Sequence, residues 1–177
     1  GVGAAVVQLG KSIGAKVIAT VGSAEKKALC ESWGADLVVD YHAPDLDDQI
    51  RKYASEHGGI NVWFETLREP TFERTTAMMA RRGRIILMAG RDARPVFPIG
   101  PFYVNDLRIL GFAMFNGTPD EQRNAAEALN MLYQAGDWKP HVGKTFPLSQ
   151  AADAHRLQED HTLRGQGDFS GKIVLVP

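Results

Sequence analysis

Short apolar runs with the composition of β-strands alternate with helix-like segments through much of this 177-residue sequence. Glycine-containing turns separate the two kinds of segment, and the stretch between successive strand-like runs is long enough to hold a helix. Neighbouring parallel strands require connections of this length. The pattern therefore predicts an α/β fold with a parallel sheet and helices on both of its faces. The strand-like runs are 16–20, 37–39, 61–65 and 83–90.

The second half of the sequence is less regular. The segment 91–101 contains three prolines and predicts a loop. Thr118, Pro119 and Glu121 match a capping box with proline at the first helical position, which predicts the start of a helix. Further predicted elements are strands at 107–112, 139–147 and 172–176, helices at 70–80, 119–135 and 150–159, and a mobile or ligand-facing loop at 161–171.

Gly1, Val2 and Gly3 stand immediately before an apolar stretch with helical character. In dinucleotide-binding βαβ units, glycines at this point let the backbone approach a pyrophosphate, and the N-terminus of the helix supplies a favourable dipole. A tight helix contact or a simple turn is the alternative interpretation of these three residues. The chain is therefore a candidate for binding a dinucleotide.

The residues after the predicted strand 16–20 bear on the kind of dinucleotide. A carboxylate at this strand end would accept hydrogen bonds from the adenosine ribose and repel a 2′-phosphate. The sequence instead has Gly22 and Ser23, with Lys26 in the following helix, and its first acid is Glu25. This pattern favours NADPH over NADH, and the alternative is that Ser23 only caps a helix whose lysines face solvent.

Three other residues follow predicted strands at their carboxyl ends, where ligands bind in open α/β sheets. Tyr41 follows the second strand and could stack on the adenine or reach its phosphate. Thr66 and Gly90 follow the third and fourth strands. Each of these residues has the alternative interpretation that it only begins a loop.

Composition and spacing exclude several kinds of function. A net charge of −1 gives no general basis for binding nucleic acid or an anionic membrane. The single cysteine, Cys30, fits a packing role in a reducing compartment, and the five histidines lack the spacing of a metal site. We expect a cytoplasmic protein without a membrane span, and no catalytic or metal-binding residue is assigned.

The ordered motifs resemble one enzyme superfamily along almost the whole chain. The sequence is similar to the cofactor-binding half of the medium-chain dehydrogenase/reductases, and within them to the quinone oxidoreductases of the zeta-crystallin group. The motifs are Gly1-Val2-Gly3, Gln8-Leu9, 14–20, Ser23 with Lys26, Gly34-Ala35-Asp36, Asp40-Tyr41, 82–86, 139–143, 146–148, 151–155 and 171–175.

The resemblance implies a Rossmann-type, doubly wound parallel sheet whose first strand would precede Gly1. It also implies that the chain returns to a GroES-like catalytic domain at its end. The regular alternation changes character near Trp138. We therefore predict a nucleotide-binding domain at 1–137 and a return to the catalytic domain at 138–177.

The resemblance also implies which residues meet which part of NADPH. Gly1, Val2 and Gly3 would face the pyrophosphate. The residues around the adenosine 2′-phosphate would be Gly22, Ser23, Lys26 and Tyr41, and those on the nicotinamide side would be Thr66, Gly90 and the run from Phe112 to Phe115. Arg164 would be a further phosphate contact. Arg68 stands near a position where the family commonly has glycine.

The implied function is NADPH-dependent hydride transfer to a quinone or another conjugated carbonyl, in a homodimer formed along the edge strand 107–112. Groups that polarise the acceptor would lie outside this sequence. Two alternatives remain: a zinc-dependent alcohol dehydrogenase of the same superfamily, and a non-catalytic NADPH-binding or structural relative.

Overall fold

Every strand pair in the computed structural model, which describes residues 1–166 and 169–177, is parallel. The strands form three sheets, with the orders β1-β2, β3-β4-β5 and β6-β7. The strands are β1 Ile18–Val21, β2 Leu37–Asp40, β3 Ile60–Glu65, β4 Met79–Leu87, β5 Arg108–Gly111, β6 Val142–Pro147 and β7 Lys172–Val176. Helices connect successive strands, which confirms the predicted α/β class with parallel sheets.

The chain divides into two compact units, one formed by 1–40 with 126–177 and the other by 41–125. The boundary expected near residue 137 stays a prediction. The helices are α1 Val2–Ser12, α2 Ala24–Ser32, α3 Leu46–Glu56, α4 Phe72–Met78, α5 Ile99–Val104, α6 Pro119–Ala135 and α7 Ala151–Leu163.

The core of the first unit joins α1 and α2 to the β1-β2 sheet. Its buried members are Val7 on α1, Cys30 on α2, and Val21 and Val38 on the strands. Burial raises the pKa of the Cys30 thiol, and the charge of Glu31 raises it further. Cys30 is therefore a packing residue, as predicted.

The core of the second unit lies around the β3-β4-β5 sheet. Phe72 and Met79 pack there with Ile85 and Leu107, all of them buried. The ring of Phe97 lies 5.3 Å from that of Phe72 and 5.0 Å from that of Phe102, as measured between ring centroids. Phe97 and Phe102 are partly buried and pack against this core, so α5 and the segment before it contribute to the core of this unit.

Three segments differ from the sequence prediction. The helix predicted at 70–80 ends at Met78, and the strand predicted from residue 83 begins at Met79. The pairing of β4 with β3 contains a register shift, and Arg82 within β4 has a positive φ of 63°. The helix α5 begins inside the segment predicted as a loop. The helix α7 continues to Leu163, and part of the predicted ligand-facing loop, residues 167 and 168, lies outside the described residues.

The doubly wound sheet implied by the resemblance has the strand order 3-2-1-4-5-6. The pair β1-β2 corresponds to the second and third strands of that order, and β3-β4-β5 corresponds to the fourth to sixth. Among the described residues these two sets of strands form separate sheets, and the strand implied before Gly1 stays a prediction.

Candidate functional site

The first turn of α1 begins with Gly1 at the N-cap, followed by Val2 and Gly3. It contains no acidic residue, and Gly1 at its N-cap makes no side-chain capping bond. A β-carbon placed on Gly3 would meet no atom within 4 Å, so the backbone there is open to approach. An open helix N-terminus of this kind can accept an anionic group.

A lysine from the far end of the sequence lies against this turn. The Nζ atom of Lys172, the first residue of β7, is 3.4 Å from the point where a β-carbon of Gly1 would lie. Sequence analysis placed Lys172 in a predicted strand but did not assign it to the site, because no local pattern relates residues so far apart.

Ser23 is the N-cap of α2. Its Oγ accepts a hydrogen bond from the backbone N–H of Lys26 at 3.3 Å, so the capping role weighed in the sequence analysis is present. The hydroxyl keeps its own proton to donate to another group. In the first turn of the same helix, the carboxylate of Glu25 accepts a hydrogen bond of 2.7 Å from Ser170.

Gly22 links the end of β1 to Ser23, and Tyr41 follows the end of β2. Val21 pairs with Asp40, so the two strands of this sheet end at the same level. Tyr41 is the first residue of the second unit. Its side chain is about half exposed, and its ring centroid lies 4.4 Å from that of His42.

Within the second unit, the loops after β3 and β4 contact each other. Gly90 has a positive φ of 80°, and a β-carbon there would lie 3.2 Å from the carbonyl oxygen of Arg68 and 3.3 Å from Cδ of Pro70. A side chain at position 90 would therefore be both strained and crowded. Thr66 begins the first of these loops and is exposed.

The loop after β5 begins at the same edge of the sheet. The N–H of Phe112 donates to the carbonyl oxygen of Leu87 at 3.0 Å, which extends the β4-β5 pairing by one bond. Phe115 lies in a short 3-10 turn and is 89% exposed. Of the predicted residues, Thr66, Gly90 and Phe115 thus all follow strands of one parallel sheet.

Glu65 is a second residue whose importance sequence analysis missed. Only 1% of its surface is exposed, although it is an acid at the end of β3. Its carboxylate accepts hydrogen bonds from Trp63 Nε1 at 3.2 Å and from the N–H of Leu67 at 3.0 Å. The buried carboxylate therefore fixes the start of the loop that carries Thr66.

Arg164 forms an ion pair with Asp160, with 2.6 Å between Nη1 and Oδ1. The guanidinium predicted as a phosphate contact thus has a carboxylate partner one helical turn away. Arg68 is exposed, and its carbonyl oxygen lies 3.2 Å from the point where a β-carbon of Gly90 would lie.

No group of three or more His, Cys, Asp or Glu residues in the described part of the chain is arranged to hold a metal ion. A zinc site is therefore not assigned to these residues. Among the described helices, none combines the length and hydrophobicity needed to cross a membrane.

Residues 1–132 match the zinc-binding dehydrogenase family. The chain belongs to this family. This confirms the resemblance to the medium-chain dehydrogenase/reductases and to the cofactor-binding half of their quinone oxidoreductase group.

Relatives and solved structures agree with this assignment. The chain is 28% identical to human quinone oxidoreductase over 176 residues, which cover 99% of the chain and 51% of the human protein. The structure of Escherichia coli quinone oxidoreductase complexed with NADPH is 26% identical, with a TM-score of 0.75, covering 100% of this chain and 54% of that one. An NAD-dependent alcohol dehydrogenase is 30% identical, with a TM-score of 0.76, covering 100% of this chain and 48% of that one.

The chain spans about half the length of the curated relatives that it matches. The similar structures differ in their nucleotide: the Escherichia coli quinone oxidoreductase is complexed with NADPH, whereas the alcohol dehydrogenase is described as NAD-dependent.

Proposed function

We propose that this chain is the NADPH-binding part of an oxidoreductase that reduces a quinone or another conjugated carbonyl. The observation that carries the proposal is the environment at the end of β1, where Gly22 and Ser23 take the place of a carboxylate and Lys26 lies in the first turn of α2. The acid of that turn, Glu25, accepts a hydrogen bond from Ser170. The similarity to quinone oxidoreductases supports the acceptor class.

The first turn of α1 is suited to the pyrophosphate. Gly3 leaves space for a phosphate to approach the backbone, and the turn contains no acid that would repel it. The free N–H groups of the turn would donate to the phosphate oxygens.

Ser23 and Lys26 are suited to the adenosine 2′-phosphate. Ser23 would donate its hydroxyl proton while its oxygen still accepts from Lys26 N–H, and the ammonium of Lys26 would supply a positive charge. Lys26 is partly buried and forms no ion pair with another described residue, so its charge is available. Tyr41 is proposed as a contact on the adenine side.

The nicotinamide side is proposed to involve Thr66, Gly90 and Phe115. All three follow the carboxyl ends of strands in the β3-β4-β5 sheet, the edge at which ligands bind in folds of this type. Glu65 would act indirectly, by holding the loop in which Thr66 lies.

When bound, NADPH supplies the hydride, and the protein orients it and excludes water. The residues of this chain would hold the nucleotide at its phosphates and fix the loops at the sheet edge. No described residue has to act as an acid or base, and none is named as catalytic. Localisation in the cytoplasm and dimerisation along the exposed edge strand β5 are further expectations.

The test is a titration of the full-length protein with NADPH and with NADH, comparing Lys26→Ala with the wild type. Lys27→Ala is the matched control, because Lys27 is the exposed neighbour on the same helix. We expect the wild type to prefer NADPH, and Lys26→Ala to lose about tenfold in NADPH affinity with little change for NADH. Lys27→Ala should bind both nucleotides like the wild type.

Equal wild-type affinities for the two nucleotides would contradict the 2′-phosphate assignment. That result would favour the alternative of an alcohol dehydrogenase, to which the NAD-dependent structural relative belongs. Zinc analysis of the full-length protein then separates the two enzyme classes. Absence of binding to either nucleotide would favour a non-catalytic relative.

A further inference from the structure

We infer that Ser170 helps to set the preference for NADPH by holding the carboxylate of Glu25. Glu25 is the acid in the first turn of α2, the turn that also contains Lys26. The inference rests on the proposed function, because it assumes that the 2′-phosphate binds at Ser23 and Lys26. It makes Ser170 a positioning residue, which acts on the nucleotide through Glu25.

Glu25 brings a negative charge close to the proposed 2′-phosphate site. It lies between Ser23 and Lys26 in the sequence, and its side chain is exposed. Because like charges repel, a carboxylate that is free to turn toward a bound 2′-phosphate weakens the binding of NADPH. The same carboxylate can accept hydrogen bonds from the ribose hydroxyls of NADH. The direction of the Glu25 side chain therefore affects the preference between the two nucleotides.

A hydrogen bond from the C-terminal segment holds this side chain. Ser170 Oγ donates to Glu25 Oε1 at 2.7 Å, across 145 residues of sequence. A hydroxyl that donates to a carboxylate forms one of the stronger kinds of hydrogen bond. Among the described residues Glu25 has no ion-pair partner, so the bond from Ser170 is what holds the carboxylate.

His141 lies on the other side of the serine hydroxyl. Its Nε2 atom is 3.4 Å from Ser170 Oγ. Because the serine directs its proton to Glu25, its oxygen is left to accept from the Nε2–H group. In a hydrolase triad the histidine lies between the serine and the acid and removes the serine proton. Here the serine lies between the other two, so the cluster is suited to hold a carboxylate and not to activate a nucleophile.

Tight backbone packing fixes the position of Ser170. A β-carbon on Gly143 would overlap the carbonyl oxygen of Ser170, and one on Gly171 would lie 2.6 Å from the backbone nitrogen of Gly143. Gly171 also has a positive φ of 98°, which favours glycine. Because its backbone is already held, Ser170 loses little conformational entropy when its hydroxyl binds Glu25.

The alternative is that this hydrogen bond only connects α2 to the C-terminal segment. In that case its loss would lower stability, or would weaken the binding of both nucleotides alike. A role in nucleotide preference predicts a different result. Loss of the bond would then weaken NADPH binding and leave NADH binding equal or stronger.

The experiment measures dissociation constants of the full-length protein for NADPH and NADH, with thermal unfolding to show that each variant is folded. Ser170→Ala removes the hydroxyl, whereas Ser170→Thr keeps it. Glu25→Gln removes the charge, and it is also combined with Ser170→Ala in a double variant. Ser149→Ala is the matched control, because Ser149 is an exposed serine in the same unit.

We expect Ser170→Ala to raise the dissociation constant for NADPH about fivefold relative to that for NADH, because it frees the charge of Glu25. Ser170→Thr and Ser149→Ala should keep the wild-type ratio. In the double variant, loss of the hydroxyl should have no effect beyond that of Glu25→Gln, since the charge that it holds is absent.

Glu25→Asp breaks the same bond from the other side, because it keeps the charge and shortens the side chain by one methylene group. It should lower the preference for NADPH as Ser170→Ala does. This variant provides the test if Ser170→Ala does not fold.

An unchanged ratio in a folded Ser170→Ala variant would overturn the inference and leave the proposed function intact. An equal loss for both nucleotides would also overturn it, because the bond would then have a structural role alone. A further loss of preference when Ser170→Ala is added to Glu25→Gln would show that Ser170 does not act through Glu25, with the same consequence. A wild type that binds both nucleotides equally, or neither, would overturn the proposed function, and this inference with it.

Discussion

The side-chain amide of Gln8 hydrogen-bonds to both backbone polar groups of Lys139, 131 residues away in the sequence. Gln8 is buried, with 7% of its surface exposed, and its Nε2 also lies 3.3 Å from the carbonyl oxygen of Ala4. A buried amide whose oxygen and nitrogen both have hydrogen-bond partners stabilises the contact between the two segments. It connects the helix of the proposed phosphate site to the C-terminal segment.

Replacing Gln8 with alanine should destabilise the protein by about 2–3 kcal/mol, because the N–H and the carbonyl of Lys139 lose their partner. Urea unfolding of Gln8→Ala and the wild type measures this. Gln158→Ala is the control, since Gln158 is exposed on α7. A difference of less than about 0.5 kcal/mol between the two variants would show that water replaces the amide at no cost.

The glycines of α1 should respond to alanine in opposite ways. At Gly10 an added β-carbon would lie 2.8 Å from Cγ2 of Val17, which is closer than a van der Waals contact. We expect Gly10→Ala to lower the free energy of unfolding by about 1–3 kcal/mol through overpacking. The double variant Gly10→Ala with Val17→Ala should recover part of this loss, and strict additivity of the two changes would contradict the contact.

At Gly3 an added β-carbon meets nothing within 4 Å, so Gly3→Ala should leave the unfolding temperature unchanged or slightly higher. The same methyl group would stand between a phosphate and the backbone. We therefore expect affinity for NADPH and NADH to fall together, by about tenfold or more, without loss of stability. Retained affinity in this variant would show that the glycine turn is not the phosphate site.

Local patterns were sufficient where neighbouring residues determine the structure. The capping box predicted from Thr118 and Glu121 is present: Thr118 Oγ1 accepts from the N–H of Glu121 at 3.2 Å, and the Glu121 carboxylate accepts from the N–H of Thr118 at 2.8 Å. Pro119 is the first residue of α6, as predicted. All the groups of this capping box lie within one helical turn, so a local sequence pattern is enough to predict where α6 begins.

Sequence reasoning failed where packing decides. The helix α5 contains Gly100 and Pro101, which predicted a loop, yet Phe102 joins the aromatic contact with Phe97 and the core of its unit. Burial of such a ring can offset a poor helix propensity. The hydrogen bonds between Gln8 and Lys139 cannot be predicted from local patterns either, because 131 residues separate the two in the sequence.

Asp36 should make stability depend on pH in the acid range. Burial tends to raise its pKa, but hydrogen bonds from Lys11 Nζ at 2.8 Å and the N–H of Val17 at 2.7 Å, with the charges of Lys11 and Lys16, lower it overall. A lowered pKa in the folded state means that the ionised form stabilises the protein above the unfolded pKa of about 4. This contribution is lost as the pH falls through the lower, folded value.

We therefore expect Asp36→Asn to be less stable than the wild type at pH 7, with a difference that shrinks as the pH falls below about 4. Urea unfolding at a series of pH values measures it. Asp92→Asn, a change at an exposed loop position, should show no such trend. A difference between Asp36→Asn and the wild type that stays constant down to pH 2, well below the unfolded pKa of about 4, would contradict the assignment.

Glu65 should be intolerant of its amide analogue. Its two carboxylate oxygens each accept a hydrogen bond, from Trp63 Nε1 and from the N–H of Leu67, and the side chain is buried. A glutamine would present an amide NH₂ to one of these donors, leaving a buried N–H group without an acceptor. We expect Glu65→Gln to destabilise the protein by about 1–3 kcal/mol, as measured by urea unfolding.

The matched control is Glu69→Gln, because Glu69 is an exposed acid in the same loop and should tolerate the change within about 0.5 kcal/mol. If the loop after β3 contacts the nicotinamide as proposed, Glu65→Gln should also weaken NADPH binding under conditions where the variant is fully folded. Adenosine 2′-phosphate should bind the same variant as tightly as the wild type, because Ser23 and Lys26 lie in the other unit. An equal loss for both ligands would indicate a general loss of structure and contradict a specific role of Glu65 in holding the Thr66 loop.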